Sequence, residues 1–512
     1  MTTTGADGSA GVARAFPDGF LWGAASSAYQ IEGAVHADGR GTSVWDTFSH
    51  TRGKVRGGDT GDIACDFYHR AEDDLDLIAG LGLGAFRFSV AWPRVQPAGR
   101  GAVNQAGIDF YRSLVDGLRA RNITPAITLY HWDLPQSLED LGGWANRDTA
   151  QRFADYAQIV AEAIGDVGAM WITINEPQVV AHQGYRIGTH APGHTDDALA
   201  AAATHHLLLA HGLALERLRS VMPAARLGIT LDIHPVRAIG EEAEEAAKVA
   251  DAEQNRIFLD PVLHGRYPSS AREHLLPPAA LIHDGDMELA RAPIDFLGIN
   301  YYTPHYVKLG DWAQLCRDET PVAGRPGVIA CKPDHLPRTS MGWLIDPDGL
   351  YDTLVAVAGE TAPGCALYVT ENGCAAEDYV NPDGQVDDFE RVAYLHGHLH
   401  AVWRAIQDGV PLDGYFFWSL HDNFEWAWGY QKRFGLVFVD FDTQRRIPKR
   451  SAAFYRHVAH SNELPPLEVV LGDDVAAEAT SPAGRPSPGC EQPNRSASVA
   501  ARTSRRRGDP AM

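Results

Sequence analysis

Eight short apolar runs, separated by segments of helical periodicity, predict an α/β protein: a single closed (β/α)8 barrel with long loops on its C-terminal face. Three observations carry this reading. The runs are almost continuously apolar, as the strands of a parallel sheet covered on both faces must be. Eight is the number of strand–helix units that closes such a barrel. Polar groups gather at the C-terminal end of each run, the end from which the loops of this fold build their sites.

In chain order the expected strands are 20–29, 85–92, 123–131, 170–177, 227–233, 295–302, 366–373 and 412–420. Helical faces lie in 66–81, 108–121, 151–167, 198–221 and 391–407. In 151–167, Phe153, Tyr156, Ile159, Val160, Ala163 and Ile164 recur at the i, i+3, i+4, i+7 spacing of one helix face. The glycine-rich stretch 80–84 follows a helix and precedes a strand, the reverse of a phosphate-binding loop, so it reads as a tight turn on the opposite face. His205, His206 and His211 share a helical stretch without a His-Glu-x-x-His pattern, so they read as surface or core histidines and no metal site is expected. About 60 residues separate the sixth strand from the seventh, and they carry Trp312 and Trp343; loops this long in a compact domain are usually functional.

Composition removes other classes. Lys and Arg total 44 against 66 Asp and Glu, a net charge of −22, which argues against nucleic acid, whose phosphates demand clustered cations. No apolar run reaches the roughly 20 residues that span a bilayer. The N-terminus has no basic start followed by an apolar stretch. A cytoplasmic protein without a membrane partner is therefore expected. The six cysteines, at 65, 316, 331, 365, 374 and 490, show no CxxC spacing and are expected as reduced thiols. Residues 1–14 read as a disordered N-terminus and 15–463 as the barrel. Residues 464–512 lack Phe, Trp and Tyr, are rich in Pro, Ser, Ala and Arg, and read as a disordered tail.

The rim residues are aromatic, amide and carboxylate: Gln30, Arg87, Trp92, His131, Asn175, Glu176, Asp232, Asn300, Tyr302, Glu371, Asn372, Trp418 and His421. Such a set describes a pocket for a polyol. Breaking a glycosidic bond needs two carboxyl groups, one to protonate the leaving oxygen and one to attack or to activate water. They must sit in different environments, so that one keeps its proton and the other its charge. Glu176, in Thr-Ile-Asn-Glu-Pro (173–177), and Glu371, in Val-Thr-Glu-Asn-Gly (369–373), close the fourth and seventh strands and are the best candidates.

With these two motifs and the stretch Phe-Leu-Trp-Gly-Ala-Ala-Ser-Ser-Ala-Tyr-Gln-Ile-Glu-Gly (20–33), the chain resembles glycoside hydrolase family 1, the β-glucosidase family, over roughly residues 15–458. The resemblance implies that Glu176 is the acid/base and Glu371 the nucleophile of a retaining β-glycosidase. It implies that Gln30, His131 and Asn175 bind ring hydroxyls and that Asn300 and Tyr302 flank the nucleophile. Tyr302 and Arg87 are expected to keep the Glu371 carboxylate charged. Trp418, in Trp-Ser-Leu-His-Asp-Asn-Phe-Glu-Trp (418–426), would form a platform under the sugar, with Glu425 and Trp426 on its 3-, 4- and 6-hydroxyls. A carboxylate there suits free hydroxyls, which implies a non-phosphorylated hexoside. The expected activity is a β-glucosidase on cellobiose or on aryl and alkyl β-glucosides, with galactosides and fucosides also open. Its partner would be a small-molecule β-glycoside, and no cofactor is expected. Asp232 and Gln178 stand where many relatives have Asn and Trp, which bears on the leaving-group side. A catalytically silent sugar-binding barrel is disfavoured because both carboxylates are present; transglycosylation uses the same intermediate and is not separated from hydrolysis.

Overall fold

The computed structural model describes residues 13–471, residue 323 apart. All eight expected strands form, each shorter than its apolar run: β1 Leu21–Ala25, β2 Ala85–Ser89, β3 Thr124–Tyr130, β4 Met170–Asn175, β5 Arg226–Asp232, β6 Phe296–Asn300, β7 Ala366–Asn372 and β8 Leu412–Trp418. They pair in parallel, each with the next, and β8 closes on β1 through Gly414 opposite Leu21 and Trp418 opposite Ala25. One helix after each strand covers the outside: α1 Phe67–Gly80, α2 Gln105–Ala120, α3 Asp148–Ile164, α4 Asp197–Val221, α5 Ile257–His264, α6 Pro347–Ala358, α7 Phe389–Gln407 and α8 Arg450–Ser461. The (β/α)8 barrel is therefore borne out element by element.

Two apolar layers follow from strand alternation. Outward-facing residues such as Phe86, Ile127, Trp171 and Ile229 join the large core beneath the helices. Inward-facing Ala25, Ala85, Ala126, Met170, Phe296 and Phe416 fill the barrel itself. The interior is thus a packed floor, and the polar rim residues stand on top of it.

Helix α4 has the length and apolarity of a membrane span, against the sequence expectation, yet 83% of its most apolar window is buried inside the protein. Its histidines are core residues held by specific partners. His211 meets Thr173 Oγ1 at 2.7 Å, His205 meets Asp286 at 2.9 Å, and His206 meets the Trp144 carbonyl at 2.9 Å. The 80–84 stretch is the turn from α1 into β2, as expected. Cys65, Cys331, Cys365 and Cys374 are free thiols, but Cys316 is disulfide-bonded, which corrects the expectation of reduced cysteines at that position. Spacing along the chain does not reveal which sulfurs the fold brings together.

The boundaries at both ends need correction. Arg14–Ala15 pairs antiparallel with Glu463–Leu464, so Arg14 and Leu464, placed in the disordered ends on composition, belong to a strand pair that ties the two ends of the barrel unit together. A short helix, Leu467–Leu471, follows. Leu464 is fully buried. Asn462 adopts a left-handed backbone (φ 56°), which turns the chain out of α8 and aims its side chain at the N-terminus. There it accepts from Trp22 Nε1 at 2.9 Å and donates to the Phe16 and Pro17 carbonyls at 3.0 Å. Two-residue strands carry too little pattern to be read from sequence. The remainder of the 464–512 assignment lies outside the described residues.

A chain ended at Ser461 loses Asn462 and Leu464 together, and should melt several degrees below one ended at Leu471. Burial of one Leu side chain is worth about 2 kcal/mol and each lost hydrogen bond about 1 kcal/mol. Thermal melts of the two truncations check this; equal melting temperatures would show that the terminal clasp carries no stability.

Candidate active site

The strand ends converge on one guanidinium. Arg87, from the middle of β2, is fully buried at the barrel centre. Its Nε donates to Thr128 Oγ1 (3.2 Å) on β3 and its Nη2 to Asn175 Oδ1 (2.5 Å) on β4. Its Nη1 donates to the Thr370 carbonyl (3.3 Å) and to Glu371 Oε1 (2.5 Å) on β7. Arginine is suited to this because its planar fork offers five donors in fixed directions and stays charged.

Glu371 therefore ends β7 with both oxygens held: Oε1 by Arg87, and Oε2 by the Tyr302 hydroxyl at 2.7 Å. Glu176 is held differently. It follows β4 with φ 48°, left-handed backbone uncommon for a residue with a Cβ, and its N–H donates to the Thr230 carbonyl at 2.9 Å. Its side chain accepts one bond, from Asn300 Nδ2 to Oε1 at 2.6 Å. Asn300 also donates to Asn175 Oδ1 (3.2 Å), and its own oxygen accepts from Thr370 (2.8 Å). Asn175, Glu176, Asn300, Tyr302 and Glu371 thus form one bonded constellation around Arg87.

Burial acts on both carboxyls. It raises Glu176 well above the usual carboxylate range, with the charges of Asp232 and Glu371 adding to the effect and Asn300 and Arg87 opposing it. Burial raises Glu371 too, but the Arg87 charge and the donors Tyr302 and Arg87 pull it back. The expectation that these partners alone would leave Glu371 low is corrected: they offset desolvation rather than reverse it. The difference between the two environments is what acid/base chemistry needs. The better-solvated charge belongs to Glu371 and the retained proton to Glu176.

The remaining residues line the bowl above. Gln30 sits on the one-turn helix Ala28–Ile31 just past β1, not on the strand itself. Its amide donates to Asn423 Oδ1 (3.1 Å) and the Phe424 carbonyl (2.9 Å), and its oxygen accepts from Ser27. His131, just past β3, meets the Asn175 amide through Nε2 at 3.2 Å, so that nitrogen accepts and the buried Nδ1 carries the proton without a partner among the described residues. The His131 ring stacks on Trp418 and on Trp426, both at 5.9 Å. Trp418 packs with Tyr302, Phe434 and Trp343 in one cluster. Trp343 thus joins the cleft, whereas Trp312 begins the 3-10 turn Trp312–Gln314 in the β6–β7 loop and donates to the Val328 carbonyl. Gly373 permits the junction: a Cβ there would lie 1.8 Å from the Trp418 carbonyl oxygen.

Sequence reasoning missed Trp132. It has φ 77°, packs on Trp426 at 4.6 Å, and donates from Nε1 to the Asn175 carbonyl at 3.0 Å. Its neighbour His131 was the available signal. Among the described residues one cluster has metal-ligand character, Asp260, His264 and Glu360. Arg256 bridges Asp260 and Glu360, and His264 meets Glu360 at 2.9 Å, so the cluster already holds a cation among its carboxylates.

Glu425 Oε2 is buried without a partner among the described residues, and burial with the nearby Glu371 charge pushes this carboxyl up to about 8. The unfolded chain releases the proton near 4.5 while the folded one retains it to about 8, so stability falls as pH rises between these values. The slope is at most about 1.4 kcal/mol per pH unit. Glu425→Gln should accordingly melt close to the parent protein at pH 5 and above it at pH 8. A melting difference that does not grow with pH would mean that Glu425 ionises normally.

The arrangement has close relatives. Residues 12–464 match Glycosyl hydrolase family 1. A 1,4-beta-D-glucan glucohydrolase of Thermotoga neapolitana is 46% identical over 452 residues, 88% of this chain and 99% of that protein. A bifunctional beta-D-glucosidase/beta-D-fucosidase of Bifidobacterium breve is 48% identical over 454 residues, 86% of this chain and 97% of that one. The solved family 1 β-glucosidase of Thermotoga maritima superposes with a TM-score of 0.81 at 45% identity, covering 88% of this chain and 99% of its own. A barrel that closes on two differently held carboxylates, matched over nearly its whole described length, belongs to glycosyl hydrolase family 1.

Proposed function

We propose that the chain is a retaining β-glucosidase, with Glu176 as acid/base and Glu371 as nucleophile, acting on terminal non-reducing β-D-glucosyl groups by double displacement. The observation that carries the role assignment is the asymmetry in donors. Glu371 accepts from a cation and a phenol, while Glu176 accepts from one amide and faces Asp232. In the first step Glu371 attacks the anomeric carbon, the bond to the aglycone oxygen breaks, and Glu176 delivers its proton to that oxygen. In the second, Glu176 takes a proton from water, whose oxygen attacks the same carbon from the opposite side and releases Glu371. Asn175, locked by Arg87, Asn300 and His131, supports hydrogen bonding to the 2-hydroxyl, where such a bond strengthens in the transition state. Trp418 and Trp426 offer the apolar faces, and Gln30, His131 and Glu425 the polar contacts. A substrate range of simple β-glucosides, extending to β-fucosides, is in keeping with the relatives' names.

The roles separate in azide rescue. Glu371→Gly should be nearly inactive, and azide should restore turnover of an activated glucoside with one inversion, giving the α-glucosyl azide. Glu176→Ala should still form the glycosyl-enzyme from 2,4-dinitrophenyl β-glucoside, and azide should release it as the β-glucosyl azide after two inversions. NMR of the anomeric proton decides; an α product from Glu176→Ala would overturn the assignment.

Substrate charge gives a second test. A 6-phosphate beside Glu425 would bring a desolvated dianion toward the buried Glu371 charge, a penalty of about 3 kcal/mol or more. kcat/KM for p-nitrophenyl β-glucoside should exceed that for its 6-phosphate by at least about a hundredfold. Preference for the phosphate would remove Glu425 from the 6-position.

A further inference from the structure

Beside Glu176 lies a second pair of side chains that the two-step reaction does not use. Asp232 ends β5, directly opposite Asn300 of β6, whose amide holds Glu176. Gln178, two residues past Glu176, donates to the Asp232 carbonyl. Asp232 Oδ2 lies 2.7 Å from His234 Nε2, and its Oδ1 is buried without a partner among the described residues. The other ring nitrogen of His234, Nδ1, lies 2.8 Å from the Thr303 carbonyl.

The geometry bounds the protonation state. A carbonyl only accepts, so Nδ1 carries a hydrogen. The 2.7 Å contact between Asp232 Oδ2 and Nε2 then holds one further proton, and the Asp232 charge favours it on His234, as an imidazolium. The ring has little freedom to do otherwise. Asn255 grips the His234 backbone on both sides, accepting from its N–H at 3.1 Å and donating to its carbonyl at 2.7 Å, and the His305 ring packs against it at 4.8 Å.

We propose that Asp232 and His234 form a charge-setting dyad for the acid/base at Glu176: Asp232 stabilises the proton on Glu176, and the His234 imidazolium limits how strongly it does so. The inference rests on the role given to Glu176 above. The titratable and charged groups around the dyad are few. Glu176 and Glu371 face Asp232 from β4 and β7. His305, on the adjoining strand His305–Leu309, is held neutral by burial and by the charge of His234, with Lys332 beyond it. Asp251 is reached only through the Asn255 amide, at 2.6 Å. Asp232 acts on Glu176 more strongly than Glu371 does, and burial alone acts more strongly than Asp232. Both members are positioning residues, since they act through Glu176.

The conservative variant is well suited to the site. In Asp232→Asn the amide can donate to the lone pair of a neutral His234, so the contact survives while both charges go. The rate of phenyl β-glucoside cleavage depends on a proton from Glu176. Its alkaline limb in kcat/KM should therefore move down by about one pH unit in Asp232→Asn. His234→Gln leaves the Asp232 charge unbalanced and should move the same limb up. In the double variant the limb should sit where Asp232→Asn puts it, because His234 acts only through Asp232. 2,4-Dinitrophenyl β-glucoside needs no proton on its leaving group, and its alkaline behaviour should not follow these shifts. A limb unmoved in Asp232→Asn, a downward shift in His234→Gln, or equal shifts on both substrates would overturn the dyad. Failure of the role of Glu176 itself shows separately, as a wrong azide anomer.

Discussion

The arrangement depends on one buried cation. Arg87 sits where four strand ends meet, and its hydrogen bonds run to β3, β4 and β7. An isolated guanidinium in an apolar barrel would be prohibitively costly; it is tolerated because its donors meet a carboxylate, an amide, a hydroxyl and a carbonyl. The reverse also holds. Glu371 stands in the same desolvated place, and without Arg87 its charge would have no counter-ion within reach. The cation therefore fixes two things at once: where the ends of β4 and β7 sit relative to each other, and which of the two carboxyls is easier to ionise. A purely apolar core could do the first but not the second.

Around that centre, some of the rim positions carry irregular backbone. Trp132, Glu176 and Trp426 all adopt left-handed φ values, and each is a bulky side chain presented at the rim. Such conformations cost about 1–3 kcal/mol apiece and persist only where surroundings over-determine them. Here the supports are visible. Trp132 is anchored to the Asn175 carbonyl, Glu176 to the Thr230 carbonyl, and Trp426 is wedged among Tyr29, Trp45, Trp132 and His131. The packed floor of the barrel supplies the stability against which these rim residues are held.

Much of this was legible in the chain. Short apolar runs that alternate with helical periodicity mark doubly covered strands, and a carboxylate at the C-terminal end of such a run is placed at the rim. That is why Glu176, Glu371, Asn300 and His131 were found from sequence. What escaped notice shares a different character. The proton on His234 depends on the Thr303 carbonyl, a backbone group that any residue type would provide. Asn462 reads as a polar residue after a helix, and its role comes from a chain end some 440 residues away. The unusual ionisation of Glu425 arises from what surrounds it, not from the motif that contains it. Sequence patterns report the face a residue occupies. They are silent on the partners that distant segments bring.

The seam between β1 and β8 has a consequence for biosynthesis. β1, at Leu21–Ala25, leaves the ribosome long before its neighbour on one side, Leu412–Trp418. Until Leu412–Trp418 emerges, the edge of β1 has no partner, and the nascent sheet carries two open edges of the kind that recruit other strands. The sugar site is incomplete for equally long, since Gln30 takes its orientation from Asn423 and Phe424, and Arg87 takes its counter-ion from Glu371. β1 must therefore wait, unclosed, for β8, and barrel closure is an event that only the arrival of that strand permits.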